Sequence, residues 1–118
     1  MTSLIACLTT GKGSWVAVSE LMNSENWTKI FLVTNKFGTE KFTSNKEFSF
    51  IIIDPDSELD EIKKTVMREL KGKILDTEVA FNMMSGTGKE HMAILSAILN
   101  SGFGIRLVTT ENKKLIVH

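Results

Sequence analysis

Apolar positions along the chain fall into two alternating patterns. Short, nearly continuous apolar runs occur at Ser3–Leu8, at Lys29–Asn35 around Ile30, Phe31, Leu32 and Val33, at Phe48–Asp54 around Ile51, Ile52 and Ile53, and at Glu78–Met84. Runs of this length predict buried strands, and their lack of polar alternation fits a sheet covered on both faces. Between them the apolar residues return at helical spacing. Trp15, Val18, Leu21 and Met22 predict a helix that Ser14 caps and Asn23–Asn26 closes. Lys36–Asn45 is polar, carries Gly38 and reads as a short helix or a loop. Pro55 stops the third strand. Over Asp56–Lys73, Leu59, Ile62, Val66 and Leu70 form one apolar stripe. Asp56, Glu58, Asp60 and Glu61 crowd its start, Lys71 and Lys73 its end, as the helix dipole favours, and Gly72 supplies a stop. A last helix is predicted at Glu90–Ser101, with Met92, Leu95, Ile98 and Leu99 inward and Gly102 ending it. Ile105–Thr109 and Lys114–Val117, separated by a short polar gap, predict a hairpin.

Strands that alternate with helices imply parallel strands joined by crossovers. The expected architecture is therefore α/β: a Rossmann-like three-layer sandwich, a mainly parallel open sheet ending in a C-terminal β-hairpin. With 118 residues the chain fits a single domain, 1–118.

Charge and composition narrow the function classes. The 14 basic and 14 acidic residues cancel, which argues against a whole-surface grip on duplex DNA. The single cysteine, Cys7, permits no intramolecular disulfide, and with only His91 and His118 beside it no metal site is expected. The start of the chain lacks a secretory pattern, and no apolar run approaches the roughly 20 residues that cross a bilayer. No membrane partner and no cofactor are expected, and the location expected is the cytoplasm.

The candidate chemistry lies in two glycine loops. Thr9, Thr10, Gly11, Lys12, Gly13 and Ser14 follow the first strand; Ser85, Gly86, Thr87, Gly88 and Lys89 follow the fourth. Ligands of open α/β sheets bind beyond the carboxyl ends of the strands, where strand order reverses, and the first and fourth strands can flank that point. Each loop leads into a helix N-terminus, which favours an anion. Glycines allow close backbone approach, Lys12 and Lys89 add positive charge, and Thr9, Thr10, Ser14, Ser85 and Thr87 add hydroxyls. A phosphate-bearing ligand is the expectation. Loops of this kind also serve turn geometry alone.

Two better-known motifs fail. A P-loop needs glycine where Met83 stands and Ser or Thr where Glu90 stands. A dinucleotide fingerprint needs glycine at Val16 and a carboxylate near Asn35. His91, just inside the last helix, could donate to a phosphate or move a proton, although an exposed or capping role is commoner. Glu90 reads as a first-turn dipole partner rather than a general base. The six methionines mostly fall on apolar faces, which reads as core filling rather than a peptide-binding surface.

The segment Asn82-Met83-Met84-Ser85-Gly86-Thr87-Gly88-Lys89-Glu90-His91-Met92, after an apolar strand and before an Ala/Leu-rich helix, resembles the signature of CARF domains, the CRISPR-associated Rossmann-fold sensors. That signature runs from a polar residue through a small hydroxyl residue, Gly-Gly-Thr and a basic residue to a methionine. Here the glycines are shifted, and Met92 keeps its place. The first loop and the terminal hairpin also match the family in position. The resemblance implies a homodimer that binds cyclic oligoadenylate across its two-fold axis. In ring nucleases it also implies slow metal-independent cleavage by a ribose 2′-hydroxyl. Carried over by position, Lys89 would contact a phosphate or stabilise the transition state, and Thr10, Lys12 and Ser14 would shape the first wall. Lys89 and Ser14 are the candidate catalytic residues. A single domain of this kind would act as a messenger sink, a ring nuclease or a partner subunit. Two rival functions stay open: a module for a mononucleotide or other small phosphate ligand, and a non-enzymatic dimer that docks onto a larger assembly.

Overall fold

The computed structural model describes residues 2–9 and 12–118, with Lys12 described through its backbone alone. Six strands and four helices follow in the order β1 (Ser3–Leu8), α1 (Lys12–Ser24), β2 (Ile30–Thr34), α2 (Lys36–Lys41), β3 (Ser49–Ile52), α3 (Leu59–Leu70), β4 (Glu78–Asn82), α4 (Gly88–Asn100), β5 (Gly104–Glu111) and β6 (Lys114–Val117). They form one sheet in the order β3-β2-β1-β4-β5-β6. The first five strands are parallel, and β5–β6 is an antiparallel hairpin. The fold is thus the α/β Rossmann-like sandwich that the alternating pattern predicts.

Strand β1 explains the layering. All six of its residues are buried, and it pairs with β2 on one side and β4 on the other. Successive side chains of a strand point to opposite faces. Leu4, Ala6 and Leu8 meet Trp15, Val18, Leu21 and Met22 of α1 on one face. Ile5 and Cys7 meet Ile62, Val66 and Leu70 of α3 and Ala93, Ile94, Ala97 and Ile98 of α4 on the other. A strand buried on both faces favours a continuous apolar run, and its one polar residue, Ser3, lies at the strand's start and donates to Asp76 at 2.8 Å.

Several boundaries differ from expectation, each for a local reason. Helix α1 already starts at Lys12, so Ser14 sits inside its first turn rather than at its cap. Helix α2 does form. Asn35 caps it by accepting from the Gly38 amide at 2.9 Å. Helix α3 occupies only Leu59–Leu70; Asp56 precedes it, and Gly72 takes a positive φ of 76° two residues past its end. Helix α4 begins at Gly88, two residues before the expected start, because Thr87 and Glu90 form a reciprocal capping box. Strands β3 and β4 end before Ile53 and Met83.

The inward face of α4 is also corrected. Met92 and Leu99 are exposed, and the small residues Ala93 and Ala97 join Ile94 and Ile98 in the core. Alanines let α4 lie close to α3 and the sheet. The hairpin turn is formed by Asn112 and Lys113, both at positive φ (51° and 64°), the geometry of a two-residue turn that matches strand twist. No helix among the described residues is long and apolar enough to cross a membrane.

Candidate functional site

The sheet order reverses between β1 and β4. From β1 the chain goes through α1 to β2 on one side, and from β4 through α4 to β5 on the other. The two connections leave the same carboxyl edge toward opposite faces, the arrangement that in open α/β sheets leaves a crevice for a ligand. Both glycine loops lie at this switch point, where open α/β sheets place ligands.

One hydrogen-bond chain joins the two loops. Glu90 is buried, and its Oε1 accepts from the Thr87 amide at 2.8 Å and from the Thr9 hydroxyl across the crevice. The Thr9 proton is committed to Glu90, so the Cys7 thiol donates to Thr9 Oγ1 at 3.5 Å. Burial, with a smaller contribution from the Glu90 charge, pushes the Cys7 thiol up from its ordinary 9.0 to about 12, against the lowering effect of the Thr9 bond. Cys7 is therefore a protonated donor near neutral pH and not a nucleophile.

Gly86 fills the middle of this cluster. Its φ is +107°, and a Cβ there would lie 2.5 Å from Cys7 Sγ, 3.0 Å from His91 Nε2 and 3.1 Å from Glu90 Oε1. Both the backbone conformation and the space therefore demand glycine. His91 Nε2 donates to the Ser85 carbonyl at 2.7 Å, which turns the imidazole back onto its own loop. Asn82 shapes the entry to that loop: its Nδ2 donates to the Val108 carbonyl at 2.8 Å, and its Oδ1 accepts from the Met84 amide at 3.1 Å.

The expected site residues thus divide into groups. Thr9, Gly86, Thr87 and His91 are brought together around Cys7 and Glu90, the latter not among the expected residues. Ser85 is buried, so its side chain belongs to the loop's foundation rather than to its open face. Gly13 and Gly88 are exposed at the starts of α1 and α4, with nothing within 4 Å of a Cβ at either. Ser14 is half-buried in the first turn of α1. Lys89 is exposed and turns toward the β3–α3 connection, where its Nζ donates to the Ser57 carbonyl at 2.9 Å. Thr10, Gly11 and the Lys12 side chain lie outside the described residues.

Thr87 also sets which amides an anion could use. Its Oγ1 accepts from the Glu90 amide and its carbonyl from the His91 amide. The Gly88 and Lys89 amides, earliest in the helix, are left for a ligand. Sequence reasoning missed Glu90 as the residue that ties the loops together. Thr87 followed three residues later by Glu90 is a capping-box signal, and it was the available clue. Comparison with family models and with curated proteins finds no match.

Proposed function

We propose that the switch point binds a phosphate-bearing ligand, an oligonucleotide of the cyclic oligoadenylate class, between the β1–α1 and β4–α4 loops. One observation carries this reading: two lysine-bearing glycine loops, far apart in sequence, share one sheet edge and one hydrogen-bond chain through Thr9 and Glu90. Phosphate oxygens would take the first-turn amides of Gly88 and Lys89, while the Lys89 ammonium leaves the Ser57 carbonyl for the ligand. An ammonium holds three protons, so this move exchanges its bond to a neutral carbonyl for a stronger one to an anionic phosphate oxygen.

The same reading has two copies meeting over the second loop. Its support is an apolar stripe on α4: Met92 and Leu99 are 62% and 58% exposed, with half-buried Leu95 between them and exposed Met84 beside the loop. Large side chains seven residues apart on one helix face, turned to solvent, are what a partner surface covers. The reaction this reading adds is ring opening, in which a ribose 2′-oxygen bonds to the adjacent phosphorus, the bond to the 5′-oxygen breaks, and the 2′-hydroxyl proton ends on that leaving oxygen. The protein would contribute positioning and the Lys89 charge.

Isothermal titration with cyclic tetra-adenylate and cyclic hexa-adenylate tests the proposal. One ring bound per two chains is expected, and Lys89→Ala should weaken binding at least tenfold. Absence of heat, together with an unchanged melting temperature at high ligand excess, would rule it out. The mononucleotide reading uses the same loops and would instead give one ligand per chain.

A further inference from the structure

The opposite edge of the sheet carries a second concave surface. The amino ends of β2 and β3 and the turn after α3 border a cavity of about 450 Å3, lined among others by Trp27, Lys29, Lys46, Phe48 and Lys73. Glu47 is the one carboxylate on its wall. Three lysines against one glutamate leave an excess of two positive charges, in a chain whose formal charge is zero.

Two of the three lysines, Lys29 and Lys46, have no internal ion-pair partner among the described residues, and Lys73 reaches Glu69 only at 4.0 Å. Lys29 is held at the lip by donating to the Lys73 carbonyl at 2.7 Å, which leaves two of its three N–H groups for a ligand. Like charges gathered on one concave wall repel one another, and a bound anion relieves that cost. A firm aromatic wall stands beside them. The Trp27 indole donates to the Leu21 carbonyl at 3.0 Å, and Phe48 packs edge-on between Phe42 and Phe50. Both rings rest on the α1-side core and are only partly buried.

We propose that this amino-edge pocket is a second binding site, for a nucleoside diphosphate or a similar nucleotide-sized anion. The phosphates would lie on Lys29, Lys46 and Lys73, and the base against Trp27. The volume lies within the range of about 300–1,000 Å3 usual for ligand pockets. Cationic groups beside an aromatic face recur wherever proteins hold nucleotides without reading sequence. The site does not depend on the switch-point proposal, since it shares no residue with it.

The chain has two tryptophans, so the Trp27 indole N–H is one of two resolvable NMR signals, assigned through Trp27→Phe. Titration with ADP and with pyrophosphate at low ionic strength should give a saturable shift of that signal, with ADP the tighter ligand. Lys29→Gln combined with Lys46→Gln should weaken ADP at least tenfold, while Lys89→Ala leaves it unchanged. No Trp27 shift with either probe, or an equal affinity in the double variant, would overturn the site. Pyrophosphate binding as tightly as ADP would overturn the nucleoside assignment.

Discussion

Thr9 and Glu90 are 81 positions apart, yet their bond makes two loops one crevice. A hydrogen bond to a charged group contributes about 1.5–3 kcal/mol, and a buried acceptor stripped of a partner loses a comparable amount. Thr9→Val keeps the shape but removes the hydroxyl, leaving the Cys7 thiol without its acceptor and Glu90 Oε1 with the Thr87 amide. A loss of about 1–3 kcal/mol is expected in urea unfolding, with Thr9→Ser recovering most of it. Equal stability of Thr9→Val and the parent protein would mean that the bond does not join the loops. Composition and loop chemistry made Thr9 and Ser85–Lys89 legible as a candidate site. The role of Glu90 was not legible in that way, because its decisive partner, Thr9, comes from the loop after β1. What its own helix needs, a cap from Thr87, can be read locally; what the sheet needs cannot.

At the scale of the element, glycines separate into those the packing requires and those it does not. Gly38 lies in α2 where that helix crosses β2. A Cβ there would stand 1.8 Å from Thr34 Oγ1 and 3.2 Å from the Leu8 carbonyl, to which Thr34 Oγ1 donates at 2.6 Å. Gly38→Ala should therefore cost about 1–3 kcal/mol through overpacking, despite alanine's better helix propensity. Gly13, exposed in α1 with nothing within 4 Å of a Cβ, should behave oppositely. Gly13→Ala should stabilise by up to about 1 kcal/mol. Thermal unfolding of the two variants checks the contrast, and shifts of the same sign would contradict it. The periodic stripe of α3 was readable because it has a single apolar face. The face of α4 was not: helix-spaced Met92 and Leu99 look like core residues until Ala93 and Ala97 are seen to lie against the sheet. Large apolar residues mark either a core or an interface, and sequence spacing does not distinguish the two.

For the molecule as a whole, alternation predicted a parallel sheet with a closing hairpin, and the structure has both. The strand order follows from pairing across long stretches of chain, such as Ser3 with Val79 and Leu4 with Ile30, which periodicity cannot encode. That order turns two ordinary turns into neighbours, and it separates the carboxyl edge, with its helix N-termini, from the lysine-lined amino edge. In the proposed function the β1–α1 and β4–α4 loops act as one ligand site. This is tested by titrating isotope-labelled protein with cyclic tetra-adenylate and cyclic hexa-adenylate and following every backbone amide by NMR. Gly13 and Ser14 should shift together with Gly86, Gly88 and Lys89 along one binding curve. Shifts confined to one loop, or to the Lys29–Lys46 edge, or to neither at saturating ligand, would contradict it.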